Sequence, residues 1–374
     1  MSVPVGVGVV GAGVISTQYL TNLADFADVE VRHVADLDPA RAKQTADRFG
    51  VPRSGDLDGL LDDDGVDIVV NLTVPAAHVE VSLAALLAGK HVWTEKPIAT
   101  GRDGARLLLD TAERTGLRVG SAPDTVLGGG ISAARRLIEA GEIGEPLTAL
   151  ALMQNPGPHQ WHPDPAFLFA EGGGPLLDIG PYYLTTLVHL LGPITRVTAS
   201  TSRSRETRVI GSGPSAGREF PVEVPTHVVA LYEFAGGRTA QCTFSFDSPL
   251  RRTLFEVTGT EATLVVPDPN RFDGNPTLVS ETQSLAEIVR DRREIRVPAV
   301  QATRGVGVLE LARSIAAGVP ERASGTLALH VLDVMLATLE AGERGASVAI
   351  AGADTVTVPP ALPEDWNPYR AEIA

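Results

Sequence analysis

The opening third of the chain alternates short apolar runs with segments of helical spacing. Residues 5–10 (VGVGVV) stop at Gly11, 29–35 end at Asp36, 66–72 read VDIVVNL, and 91–94 and 117–122 follow. The Val/Ile-rich runs over 5–10 and 66–72, bounded by turn residues, read as strands buried on both faces, and 29–35, although it carries Glu30, Arg32 and His33, as a further strand. Between them, 15–23, 39–49, 76–87 and 103–114 space their apolar residues as helices do, and Pro39 suits a first helical turn. This alternation predicts a doubly wound parallel sheet with right-handed crossovers.

The pattern changes after Pro123. A helix is predicted over 131–140 and a strand over 147–153, then a Pro/Gly/His-rich stretch runs over 155–174. Residues 175–191 are helical, whereas 196–203, 228–234, 239–246, 254–258 and 262–266 alternate polar and apolar. Ala235-Gly236-Gly237 and Gly259-Thr260-Glu261 read as hairpin links. Such alternation predicts an antiparallel sheet with one wet face, closed by helices over 306–317 and 327–343. The fold class is therefore α/β. A domain over 1–123 is followed by an α+β domain over 124–374 with a large open antiparallel sheet, suited to substrate binding and self-association.

Composition narrows the function classes. The chain has 374 residues and a formal net charge of −15, which argues against nucleic acid or an anionic membrane as partner. The single cysteine, Cys242, excludes a disulfide framework and should be buried and inert. The first 24 residues carry no charge, but no basic residue precedes Arg32 and glycines interrupt the run, so it reads as neither signal peptide nor membrane anchor. A cytoplasmic protein is expected. The runs over 62–64 and 290–293 read as solvated surface. Of 31 basic residues only Lys43, Lys90 and Lys96 are lysine.

Candidate chemistry begins at the first strand–helix turn. Gly11-Ala12-Gly13-Val14-Ile15-Ser16 fits a dinucleotide fingerprint, with a tight turn at Gly11 and close approach to a pyrophosphate at Gly13. Asp36 lies 36 − 16 = 20 residues beyond Ser16 at the end of the next strand, where a carboxylate accepts from the adenosine ribose. Leu37 follows, and no basic residue appears before Arg41. A carboxylate there repels a 2′-phosphate, so NAD is favoured over NADP. Thr94-Glu95-Lys96-Pro97 ends a parallel strand, at the edge where open α/β sheets bind ligands. With 28 arginines to three lysines, Lys96 stands out as a compact ammonium able to donate to a substrate hydroxyl.

The Gly11-x-Gly13 turn, Asp36, Asn71-Leu72-Thr73-Val74-Pro75…His78 and Glu95-Lys96-Pro97 together resemble the Gfo/Idh/MocA oxidoreductases. The resemblance continues through Gly141-Glu142-Ile143-Gly144 and Gly172-Gly173-Gly174-Pro175-Leu176-Leu177-Asp178-Ile179-Gly180. It implies a Rossmann domain, a second domain with an open antiparallel sheet, and hydride exchange with a sugar or polyol. It further implies that Thr73, Pro75 and His78 border the dinucleotide, and that Glu95 and Lys96 lie near nicotinamide and substrate.

Asp178 and Tyr182 sit four apart at the start of a predicted helix and so share one face, with Asp178 favoured by the helix dipole. Many members of the family carry His at the second of these positions, and the tyrosine matches glucose–fructose oxidoreductase-like members. A tyrosine ordinarily titrates at about 10, so as a proton carrier it needs the help of Lys96 and the oxidised nicotinamide. In the Pro-rich stretch, Trp161 and His162 suit the wall of a sugar pocket, and a structural loop crossing is an equal reading. His159, His162 and Asp164 offer metal-ligating atoms, but hydride chemistry needs no metal and none is expected. An open sheet commonly buries its bare face on another subunit, so a homodimer or homotetramer is expected. Two other classes share these features: a glycosidase that uses NAD transiently, and a non-catalytic dinucleotide-binding regulator.

Overall fold

A computed structural model describes residues 4–280, 292–297 and 303–373. They form two compact units. Residues 4–128, 303–332 and 358–373 fall in the first, and 129–280, 292–297 and 333–357 in the second.

The first unit holds six parallel strands: β1 (Val5–Val10), β2 (Val29–Ala35), β3 (Arg53–Gly55), β4 (Ile68–Asn71), β5 (His91–Thr94) and β6 (Val119–Ser121). Their order is β3-β2-β1-β4-β5-β6, with the order reversing at β1. The intervening helices are α1 (Val14–Leu23), α2 (Pro39–Phe49), α3 (Leu57–Leu61), α4 (His78–Leu87) and α5 (Arg102–Thr115). α2 starts under an Asp38 cap with Pro39 behind it and stops at Gly50 in the left-handed region, the local punctuation its sequence contains. β3 and α3 escaped the sequence reading because neither exceeds five residues.

The second unit holds α6 (Gly129–Glu139), α7 (Pro175–Leu191) and a nine-stranded sheet. Its strands are β7 (Pro146–Gln154), β8 (Ile194–Ser202), β11 (His227–Phe234), β12 (Thr239–Ser245), β13 (Arg252–Gly259), β14 (Ala262–Val265), β15 (Thr277–Ser280), β16 (Arg292–Glu294) and β17 (Val348–Ala349). The short β9 (Thr207–Val209) and β10 (Glu219–Pro221) form a separate ribbon. The sheet is mostly antiparallel, as expected, with one pair that departs from the pattern: β7 and β12 run in parallel. The long connection through α7, β8 and β11 works as a crossover and returns the chain in the direction of β7. One face, with Ala151, Cys242, Tyr232 and Phe255, is buried, and Tyr183 of α7 packs edge-on to Phe244 there. Burial also pushes the Cys242 thiol up.

A second difference concerns the late helices, both expected to close the second domain. α8 (Val306–Ala317) belongs to the first unit, and the chain leaves that unit within α9 (Gly325–Arg344). α9 is long and apolar enough to cross a membrane by composition, although 56% of that window is buried in the fold, as core helices are. Of the 290–293 run, residues 290 and 291 lie outside the described residues, while Arg292 and Arg293 are exposed on β16.

α8 is held by shape and by buried charge. Trp93 of β5 is fully buried, and a Cβ at Gly307 would lie 2.0 Å from its ring, one at Gly120 2.7 Å. Glycine on both sides thus forms a slot for the indole. Asp124 accepts from the N–H groups of Gly305 (2.8 Å) and Gly307 (3.3 Å), and so caps the start of α8 from a distant stretch of chain. Burial raises its pKa, and the Arg304 guanidinium at 3.3 Å opposes that rise. Further along α8, Arg313 pairs with buried Asp28 at 2.8 Å and donates to the carbonyls of Asn367 and Arg370.

Filling the slot should be costly. Gly307→Ala is expected to lower stability by at least ~2 kcal/mol through overpacking. Gly101→Ala, whose Cβ meets nothing within 4 Å, should stay within about 0.5 kcal/mol of the parent. Urea-unfolding midpoints check this, and equal midpoints would show that the indole has room to move.

Candidate functional site

The candidate residues fall into two groups, one in each unit. In the first unit they gather at the carboxyl ends of the parallel strands. Gly11 has φ +98°, and a Cβ there would lie 2.7 Å from the Leu72 carbonyl oxygen, so the turn admits only glycine. At Gly13 a Cβ would meet nothing within 4 Å, and no side chain caps the start of α1. Apart from the Ser16 N–H, which donates to the Gly13 carbonyl at 3.2 Å, that leaves the first-turn N–H groups to water or an anion. Val14, 94% exposed, Leu37, fully exposed, and Val74, 67% exposed, surround this edge with apolar side chains that the fold does not bury. Ile15 is half-buried behind them. An uncapped helix start and bare aliphatic walls fit a dinucleotide.

Asp36 has two structural bonds. Its Oδ2 accepts from the Ala12 N–H at 2.8 Å and its Oδ1 from the Asp38 N–H at 2.9 Å. Arg41 reaches within 3.5 Å of the same carboxylate while remaining half in solvent. The carboxylate therefore fixes the Gly11–Gly13 turn before any ribose is considered, and the role of Ala12 in this was not visible in the sequence.

Thr73 donates its hydroxyl to Asn71 Oδ1 at 2.6 Å, and Asn71 donates to Ser82 and to the His78 carbonyl. Pro75 is exposed at the start of a single 3-10 turn, Pro75–Ala77. His78 is buried: its ring nitrogens lie 2.7 Å from the Pro97 carbonyl and 3.1 Å from that of Thr73. It braces the loop after β4 against the loop after Lys96, beneath the edge rather than on it.

Glu95 and Lys96 are half-buried at the end of β5. Glu95 Oε2 accepts from the Lys96 N–H at 3.0 Å, and Oε1 from the Tyr19 hydroxyl at 2.8 Å. Tyr19 had not been singled out in the sequence, because on α1 it reads as one more core residue.

In the second unit, α7 follows Gly174, at φ +91°, and carries Asp178 in its first turn with Tyr182 one turn later. Asp178 is half-buried and Tyr182 is 8% exposed. Tyr183 is packing, and burial pushes its phenol up. Gly173 is required by close approach, since a Cβ would lie 2.7 Å from the Leu168 carbonyl.

The 155–174 stretch is pinned at one end. Arg208 of β9 is buried, ion-paired with Asp247, donates to the Pro156 carbonyl at 2.9 Å, and lies over the Phe169 ring. Its guanidinium is 3.3 Å from His159 Nδ1, and burial followed by Arg208 lowers the His159 pKa to about 4. Past this anchor, Trp161 is 61% exposed, with the His162 ring 5.6 Å away edge-on and Phe167 beyond it. His162 Nδ1 accepts from the Asp164 N–H at 3.1 Å, which leaves Nε2 as donor. Phe167 and Arg208 were not anticipated; both depend on contacts across the fold.

Comparison with known proteins agrees with this picture. A model of the oxidoreductase family with an NAD-binding Rossmann fold matches residues 5–122, and one of the GFO/IDH/MocA C-terminal domain matches 131–265. A dTDP-3,4-didehydro-2,6-dideoxy-alpha-D-glucose 3-reductase of Saccharopolyspora spinosa is 31% identical over 324 residues, 85% of this chain and 90% of that protein. A 1,5-anhydro-D-fructose reductase of Ensifer adhaerens is 28% identical over 262 residues, 69% of this chain and 74% of that one. Among solved structures, a levoglucosan dehydrogenase in complex with NADH and L-sorbose aligns with a TM-score of 0.77 at 22% identity, covering 94% of this chain and all of that one. An NAD binding oxidoreductase from Klebsiella pneumoniae gives 0.81 at 23%, covering 93% of this chain and 100% of that chain. These structural likenesses speak for the fold. With both of its domain models matched and a relative similar over most of both lengths, the chain belongs to the Gfo/Idh/MocA family of oxidoreductases.

Proposed function

We propose that the protein is an NAD-dependent dehydrogenase that exchanges hydride between a carbinol carbon of a sugar, polyol or related carbohydrate and nicotinamide. The observation that carries this reading is the single sheet edge that presents both the uncapped start of α1 beside Asp36 and, at the end of β5, Lys96. Relatives named for the reduction or oxidation of deoxysugars, anhydrofructose and levoglucosan support a carbohydrate substrate.

When bound, the nicotinamide ring supplies a hydride acceptor or donor at C4. Gly13 and the first turn of α1 bind the pyrophosphate, Val14, Leu37 and Val74 line the apolar parts, and Asp36 accepts from the ribose. A 2′-phosphate would meet the Asp36 carboxylate, which favours NAD; Arg41, 3.5 Å from it, softens that repulsion without replacing it. Lys96 holds the reacting hydroxyl and polarises it. Tyr182 relays the proton, with Asp178 setting the local charge. Trp161 and the Nε2 donor of His162 form a stacking face and a hydrogen-bonding group for the sugar ring.

The test is a screen for NADH formation over sugars, inositols and anhydrosugars, with NADP in parallel. A carbohydrate should turn over with NAD preferred, and Lys96→Met should cut turnover by about 10²-fold or more while leaving dinucleotide binding intact. Undiminished turnover in that variant would remove Lys96 from the mechanism. Release of an aglycone from glycosides without NADH accumulation would point to a redox-neutral glycosidase instead.

The wet face of the nine-stranded sheet supports self-association. By register Leu231, Gln241 and Leu150 form one row, and Val229, Thr243, Leu152 and Leu254 the next, with Leu231 45% exposed. A second copy of the chain covering this face would bury them. Sedimentation should give a dimer or tetramer for the parent, and a smaller species for Leu231→Arg with Leu150→Glu. Identical masses would place the interface elsewhere.

A further inference from the structure

Tyr19 is fully buried on the inner face of α1. Its hydroxyl accepts from the Trp93 indole N–H at 3.2 Å and donates to Glu95 Oε1 at 2.8 Å. The other oxygen of the same carboxylate accepts from the Lys96 N–H at 3.0 Å. A carboxylate bonded through both oxygens is fixed in rotamer, and the peptide it grips is fixed with it. Burial, with Glu95 and Asp124 adding to it, keeps the Tyr19 phenol protonated, so it is always the donor in this bond. Trp93 is fully buried and packs directly on the Gly120 and Gly307 backbones, where a Cβ would lie 2.7 and 2.0 Å from its ring.

A phenol at this position is not needed to fill space; a phenylalanine ring fills nearly the same volume. What the hydroxyl adds is one accepted and one donated bond, and the donated one ends on the residue that precedes Lys96. We propose that Tyr19 is a positioning residue for Lys96: acting through Glu95, it fixes the main chain from which the Lys96 ammonium extends. Tyr19 lies six residues from Gly13, roughly 9 Å along the axis of α1. The helix whose start receives the pyrophosphate therefore also sets the residue that meets the substrate. This inference rests on the proposed role of Lys96, but its test does not require a known substrate.

Three lysines make the experiment tractable. Reductive methylation with ¹³C-formaldehyde labels Lys43, Lys90, Lys96 and the chain's amino terminus, and single Lys→Arg variants assign the lysine signals. In Tyr19→Phe, the Lys96 signal should shift and its titration midpoint should move, while those of Lys43 and Lys90 stay in place. Glu95→Gln should displace the same signal, which keeps the proposal testable should Tyr19→Phe fold poorly. On any carbohydrate that the parent oxidises, Tyr19→Phe should lower kcat roughly 10-fold, the scale of one hydrogen bond to a charged group. KM for NAD should stay within about twofold, as expected when an interaction made only in the transition state is lost. The double variant should be no worse than the worse single one, because both act through one contact. A folded Tyr19→Phe protein with an unmoved Lys96 signal, or strictly additive effects in the double variant, would overturn the proposal and reduce Tyr19 to a core residue. A displaced Lys96 signal together with undiminished turnover in Lys96→Met would leave the positioning intact and refute the catalytic reading instead.

Discussion

Trp93 is the piece on which the first unit turns. Its indole fills a slot whose sides are the backbones of Gly120 and Gly307, so strand β6 and helix α8 approach strand β5 as closely as the bare glycine backbone allows. Close packing of a large rigid ring has two consequences. It recruits a helix from more than 200 residues further along the chain to cover a sheet built from the first 121. It also aims the indole N–H at Tyr19, so that the one polar atom of the ring is satisfied by the residue that holds Glu95. Packing and site geometry share one side chain.

Around this contact the fold uses buried charge where apolar packing would also have held. Asp124 caps α8, Asp28 pairs with Arg313, and Glu310 accepts from Arg322, all with at least one partner almost wholly out of water. A buried ion pair yields little net stability against an apolar replacement, yet breaking one strands a charge and is strongly destabilising. Such pairs select a register. The C-terminal segments that return to the first unit could slide along an apolar surface, whereas Arg313 reaches Asp28 and the carbonyls of Asn367 and Arg370 from only one position.

The sequence displayed what is local. The Gly11–Gly13 turn, the carboxylate ending β2, the caps of α2 and the i,i+4 pair of Asp178 and Tyr182 each lie within a few residues of the elements they shape, and period and punctuation betray them. What stayed hidden is what depends on partners distant in sequence. Nothing near residue 306 marks α8 as a layer of the first sheet, because its cap is residue 124. Nothing in 146–154 shows that β7 lies parallel to β12, because strand direction is set by the connections between them. His78 carried the right motif but a different task, since a ring within reach of two carbonyls is read only once both loops are in place. Phe167 and Arg208 belong to the same class.

The lysine count shows how far composition can reach. Lys43 is exposed and pairs with Asp47 one turn on, an interaction worth a few tenths of a kcal/mol that arginine would supply equally. Lys90 donates to the Asp63 carbonyl at the opposite end of the parallel strands from the candidate site. In two of three cases, then, lysine occurs where its compact ammonium has no special use, and rarity alone does not single out Lys96. Position does. Only Lys96 stands at the carboxyl end of a parallel strand with its main chain tied through Glu95 to a buried phenol. The flexible four-carbon arm of lysine costs entropy to aim. Fixing its point of origin is what makes a flexible ammonium usable as a directed donor, and in this fold that constraint comes from α1.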